Sequence, residues 1–232
     1  MLHFAVAYAA FLAGHSLSAV RPVRAWLVAR LGERRYLALY SLVSLLLLAW
    51  LVVAALRAPY VALWTPPAWA YAVPLALVPP ALMLIGAGLA RPNPLSVSFA
   101  GAGFDPARPG VVGLTRHPVL WGFALWALAH VPPNGNAVAA SLFGGLGFFA
   151  LAGFGLVDRR MRNRLGPDWE RLARRTSVLP FAAWRRGRIG LAPTAADFIG
   201  AGLGLLTALA LLAGLHERLF GADPLAAVRA AG

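Results

Sequence analysis

Runs of about twenty apolar residues, separated by loops that carry the arginines, constrain this chain more than any other feature. A helix that crosses a bilayer needs about 20 predominantly apolar residues. The sequence offers six such stretches, at roughly residues 2–20, 37–56, 71–90, 112–131, 137–157 and 194–215. The charges alternate with them. Eighteen of the 21 basic residues lie after the first run, before the fourth or after the fifth, and only Arg57, Arg218 and Arg229 lie on the other side. Arginine-rich loops stay cytoplasmic. The expected fold is therefore an all-α polytopic membrane protein with six transmembrane helices, both termini outside and the basic loops cytoplasmic, in a bacterial inner (cell) membrane. Residues 1–190 are expected to form a membrane domain of five helices plus a basic cytoplasmic segment, 158–190. Residues 191–232 would add the sixth helix and a tail.

Composition narrows the chemistry. The chain is 60% hydrophobic and 12% charged, against about 45–50% and about 25% in soluble domains. It has no cysteine, which removes disulfides, iron–sulfur clusters and thiolate chemistry. All of its basic residues are arginine, so lysine Schiff bases are absent too. The net charge of +13 reads as loop arginines meeting anionic lipid, not nucleic acid. The first apolar run begins without a basic stretch before it, so it reads as a retained helix and not a signal peptide. After Pro22, the spacing of Val23, Trp26, Leu27 and Leu31 predicts a short interfacial amphipathic helix. The fifth helix should run on to Leu165 and stop at Gly166-Pro167, with Asp168 capping a second short helix that carries Trp169, Leu172 and Ala173. Small residues four apart, Ala10 with Gly14 and Gly200 with Gly204, prepare close helix packing.

The five histidines carry the chemical signal. His3 and His216 fall at outer span ends and read as interfacial. His15 lies inside the first run, near its cytoplasmic end. His117 opens the fourth run from the cytoplasmic side, directly after Arg116, and His130 closes it. Ionisable groups within a membrane segment are costly, about 2.5–3.5 kcal/mol for Arg, Lys or Asp on insertion scales, and so tend to mark function. With cysteine absent and carboxylates scarce, the cofactor that imidazole holds unaided is haem, through rings on facing helices; zinc needs further ligands. At about 1.5 Å rise per residue, His117 and His130 stand roughly 20 Å apart and cannot share one iron. Depth pairs His15 with His117. A second chemistry is methyl transfer, in which Arg116 and the helix start behind it meet an anionic cofactor such as S-adenosylmethionine.

These residues also carry a resemblance. The segments Thr115-Arg116-His117-Pro118-Val119-Leu120-Trp121-Gly122, Leu125-Trp126-Ala127-Leu128-Ala129-His130 and Asn134-Gly135 resemble the NnrU family of bacterial membrane proteins. So do Gly14-His15, Leu31-Gly32-Glu33-Arg34, Asp158-Arg159-Arg160, Trp169, Thr176-Ser177 and Pro180-Phe181. The resemblance implies a link to nitric oxide metabolism and denitrification. It also implies kinship with the plant zeta-carotene isomerases, which use haem b to isomerise a cis double bond. On that kinship the ligands would be His15 and His130, with His117 a third essential histidine, so the pairing of His15 stays open. Arg116-His117-Pro118 with Leu165-Gly166, Trp169 and Pro180 is also similar to isoprenylcysteine carboxyl methyltransferase-type membrane enzymes, which hold S-adenosylmethionine. The expected function is a haem b-binding membrane protein, with His15, His117 and His130 as candidate metal ligands and Arg116 as a candidate cofactor contact. It would act in nitric oxide-linked redox metabolism or isomerise a lipophilic small molecule. The alternatives are a methyltransferase and a non-enzymatic assembly factor with a respiratory protein partner.

Overall fold

A computed structural model describes residues 1–17, 20–101 and 103–231. Among these residues the chain is helical, with one isolated antiparallel bridge between Ala62 and Asn136 in place of any strand. The helices are α1 (Leu2–Leu17), α2 (Arg21–Leu31), α3 (Glu33–Leu56), α4 (Ala72–Ala90), α5 (Val111–Leu114), α6 (Pro118–Ala129), α7 (Ala137–Leu165), α8 (Pro167–Arg175), α9 (Ala182–Arg185), α10 (Ala195–Ala210), α11 (His216–Phe220) and α12 (Pro224–Ala231). Among the described residues four helical stretches are long and apolar enough to cross a membrane: Glu33–Leu56, Ala68–Ala90, Ala137–Leu165 and Ala195–Phe220.

The other two expected spans differ. Of the first, the structure describes 16 helical residues, α1, and residues 18 and 19 of that expected span lie outside the described residues. The fourth, expected over residues 112–131, is interrupted: α5 ends at Leu114, Thr115 is extended, and α6 has only 12 residues. The cause is Pro118. A proline disfavours the α region for the residue before it, and His117 accordingly sits at φ −121°, ψ 62°. The break frees the Thr115, Arg116 and His117 side chains from a helix surface.

The chain forms two compact units, residues 1–64 with 136–142, and residues 65–135 with 143–232. The sixth apolar run packs within the second unit. In the first unit α1 lies against α3 and α2 against α3. A Cβ on Gly14 would meet Leu47 of α3, so the glycine sets how closely the two helices approach. Gly32 alone separates α2 from α3. Its φ of +77° is a conformation that an L side chain resists. The amphipathic segment expected after Pro22 is α2, where Arg30 covers the Trp26 ring at 4.6 Å and Arg24 reaches Glu33 at 3.2 Å.

In the second unit α4 packs against both α6 and α10. The α4–α10 contact is backbone to backbone. A Cβ on Gly200 would meet the Gly86 carbonyl, and one on Gly204 the Leu82 carbonyl. Gly204→Leu is expected to lower stability by about 1–3 kcal/mol or more through overpacking, seen as a lower melting temperature in detergent. Gly202→Ala is the control: a Cβ there meets nothing within 4 Å, and alanine gains helix propensity.

At the other end of this unit, Leu95, Met161, Trp169 and Ala173 form a small apolar core, with Val157, Leu165 and Leu172 packed on it. It ties the loop after α4 to the end of α7 and to α8. The helix break after Leu165 falls where proline requires it. Gly166, not Asp168, takes the cap position of α8, and Asp168 stands in its first turn, where a carboxylate favours the helix dipole.

Candidate functional site

The interruption between α5 and α6 delivers a buried polar cluster. Arg116 points inward against α7 and α8. Its Nε donates to Thr176 Oγ1 at 3.0 Å, Nη1 to Asp158 Oδ2 at 2.6 Å and Nη2 to the Ala173 carbonyl at 2.8 Å. Its plane lies over the Trp169 ring, with Cζ 5.5 Å from the centroid. Its backbone is held as well: the N–H donates to the Ser177 carbonyl at 2.7 Å, and the carbonyl accepts from Asn93 Nδ2 at 2.9 Å. Arg116 was expected to face an anionic cofactor. Here its charge is balanced by Asp158 and its surface is 8% exposed.

His117 is fully buried and stacks on Phe154 of α7, centroids 5.5 Å apart. Its Nε2 lies 3.2 Å from Asp158 Oδ1, off the line of a straight hydrogen bond. Its Nδ1 is 2.8 Å from Ser96 Oγ. A carboxylate oxygen only accepts, so the hydrogen of a neutral ring belongs on Nε2, and Nδ1 accepts from the Ser96 hydroxyl. Both ring nitrogens therefore face protein oxygens. Ser96 also lines a cavity of about 480 Å³, with Asn93, Ser98, Phe104 and Arg164 among its other walls. Two further donors, Thr115 Oγ1 and Trp121 Nε1, converge on the Val178 carbonyl at 2.8 and 2.7 Å, so the segment after α8 is pinned to both sides of the break.

A second buried pair lies in the same unit. Arg91 donates to Thr194 Oγ1 at 2.7 Å and to the Arg108 carbonyl, and lies 3.9 Å from Asp197. Asp197 closes a capping box with Thr194 at the start of α10 and accepts from the Val111 N–H at 2.9 Å. Capping boxes satisfy orphan donors at a helix start; this one also anchors α5.

His130 ends α6 and has different surroundings. Its Nδ1 is 2.6 Å from the Trp126 carbonyl, so Nδ1 carries the hydrogen and the neutral ring keeps its lone pair on Nε2. Phe143 stacks on it at 4.7 Å, and His216 lies parallel at 6.5 Å. Across α6 the rise of about 1.5 Å per residue keeps His117 and His130 at opposite ends. His15 belongs to the first unit, where its ring packs on Phe11 at 4.2 Å and its carbonyl accepts from the Tyr40 hydroxyl at 3.4 Å.

Comparison with known proteins follows this geometry. The family profile described as "NnrU protein" matches residues 3–224. The chain belongs to the NnrU family. Two similar plant proteins are each named "15-cis-zeta-carotene isomerase, chloroplastic". The one from Arabidopsis thaliana is 47% identical over 79 residues and the one from Zea mays 44% over 79 residues. Each match covers 34% of this chain and 22% of the plant protein, so this NnrU-family chain corresponds to about a fifth of those relatives. No solved structure matches it.

Ser96 and the Arg91–Asp197 pair went unnoticed in the sequence. A signal existed for the pair. Asp197 and Asp158 are acids beside apolar runs in a chain with only eight acidic residues, and such acids call for arginine partners.

Proposed function

We propose that this protein isomerises a double bond of a lipophilic polyene within the membrane, with haem b bound through His130. The observation that carries the reading is the 47% identity to a 15-cis-zeta-carotene isomerase. The donor chemistry fits haem at His130 better than at His117. His130 Nδ1 is engaged by its own helix, at the Trp126 carbonyl, which leaves Nε2 as a ligand in the orientation that a second-shell carbonyl normally enforces. The His117 ring is fully buried, with Nδ1 taken by Ser96 Oγ and Nε2 facing Asp158 Oδ1 at 3.2 Å without a straight hydrogen bond. Haem would supply an iron centre of variable oxidation state; His130 would hold it, beside the Phe143 and Trp126 rings that pack on His130. Isomerisation leaves substrate and product with the same atoms and electrons, so no co-reactant is required. On this reading the arginine-rich loops lie on the cytoplasmic face of a bacterial inner membrane, in contact with anionic headgroups, and the polyene enters from the lipid.

The test is direct. The purified protein, reconstituted in liposomes with haem, is offered a cis-configured carotene, and the isomers are separated by chromatography. The expected result is conversion to the isomer with that bond trans, lost in His130→Ala. Haem-loaded protein that leaves the cis substrate unchanged across a range of polyene lengths overturns the isomerase reading.

A further inference from the structure

The break before α6 sets a hydroxyl within reach of a base. We propose that Ser96, His117 and Asp158 form a serine–histidine–aspartate array that cleaves small carboxylic esters through an acyl group on Ser96. The array needs no haem and stands apart from the isomerase reading.

Three observations within the second unit point to it. Ser96 Oγ is 2.8 Å from His117 Nδ1, and Asp158 Oδ1 is 3.2 Å from Nε2 of the same ring. A nucleophile within about 2.6–3.2 Å of a base, with a third group to orient that base, marks an activated hydroxyl. Next, the His117 ring is fully buried, and its Nε2 and Asp158 Oδ1 are buried atoms with no straight hydrogen bond. Each has the other as a near neighbour. Catalytic hydrogen bonds are often long or poorly aligned before substrate binds. Finally, Ser96 lines the cavity of about 480 Å³, a volume in the range of small-molecule sites. Among the described lining residues Arg164 is the one that carries charge, and it is exposed.

Each part is held in place. Arg116 Nη1 donates to Asp158 Oδ2 at 2.6 Å, which leaves Oδ1 for the ring. Phe154 stacks on His117. The loop that carries Ser96 is fixed by the Leu95 N–H, which donates to Asn93 Oδ1 at 3.0 Å, and by the buried Leu95 side chain.

The chemistry follows from these positions. Ser96 Oγ adds to the ester carbonyl carbon and passes its proton to His117 Nδ1. Asp158 faces the Nε2–H and favours the charged ring, and Arg164 places a cation on the wall for the oxyanion. The bond from carbon to the leaving alcohol then breaks, and Nδ1 returns the proton to that oxygen. Water repeats the same two steps and releases the acid.

The experiment uses the full chain in detergent, free of haem. It is treated with an alkyl fluorophosphonate, whose phosphorus takes the serine oxygen and releases fluoride, and the labelled peptide is found by mass spectrometry. The label should fall on Ser96 and vanish in Ser96→Ala. It should form about a hundredfold more slowly in His117→Gln, in keeping with the usual general-base contribution. p-Nitrophenyl acetate should release nitrophenolate faster with the wild type than with Ser96→Ala. Ser96→Cys gives a second readout that stands even where His117→Gln unfolds, because the sequence has no other cysteine. Its thiol should react with iodoacetamide with an apparent pKa well below the free value of about 8.5. Adding His117→Gln should return it toward that value, although Arg164 remains. A wild-type protein that takes no label, or takes it on another serine, overturns the proposal. So does a Ser96→Cys thiol that titrates at the free value, the result expected where the cluster only braces the fold.

Discussion

Arg116→Met is expected to destabilise the protein by about 3–5 kcal/mol, the usual consequence of removing one partner from a buried ion pair. The guanidinium is 8% exposed and holds Asp158, Thr176 and the Ala173 carbonyl together. Without it Asp158 Oδ2 loses its hydrogen-bond donor, and the His117 ring beside Oδ1 makes no straight bond in its place. Asp158→Leu alone should cost a similar amount, because it strands the guanidinium. The double variant Arg116→Met/Asp158→Leu should be more stable than either single one, since apolar replacement of a whole buried pair is often close to neutral. Thermal unfolding in detergent measures all three. Double-variant stability equal to the sum of the single losses would mean that the two groups act separately.

The second large effect separates two histidines on one helix. On the proposed haem reading, His130→Ala weakens haem retention by at least about tenfold, because even the outer-shell partners of a metal ligand are worth 10–100-fold. His117→Ala should retain haem and lose stability instead. It empties a fully buried site and leaves the Ser96 hydroxyl without its ring partner, at about 1–3 kcal/mol for an unsatisfied buried group. The haem-to-protein ratio after gel filtration and the melting temperature are read on the same samples. Loss of haem in His117→Ala with full retention in His130→Ala would reverse the assignment.

Much of this arrangement is legible along the chain, and the limits have physical causes. Hydropathy finds each apolar helix, because burial in lipid demands a run of residues. Gly200 and Gly204 announce their contact with α4 because only small side chains let backbones meet. The Gly166-Pro167 stop falls where proline requires it, and Pro118 explains why the fourth apolar run is broken between α5 and α6. The distance between His117 and His130 follows from helical rise alone. Contacts between helices do not follow in this way. Asp158 meets Arg116 across 42 positions, and Ser96 meets His117 across 21, both through loops whose path hydropathy does not encode. His216 reads as interfacial because it lies near the end of an apolar run; the kink at Gly214, which brings it beside His130, is a local backbone choice invisible to any average over the run.

The two buried arginines have a consequence for the molecule as an electrical object. Arg91 and Arg116 are the buried arginines among the described residues, at 7% and 8% exposure, and each lies beside an aspartate, Asp197 and Asp158. Their pairs cancel. The whole excess of +13 therefore rides on the remaining arginines, most of them exposed. A membrane voltage, which does about 2.3 kcal/mol of work per elementary charge per 100 mV, finds no unbalanced charge in these two pairs to move. Ionic strength, by contrast, screens exposed charges beyond about 8–10 Å. If the exposed arginines meet anionic headgroups as proposed, salt should loosen that contact and leave the two buried pairs unchanged.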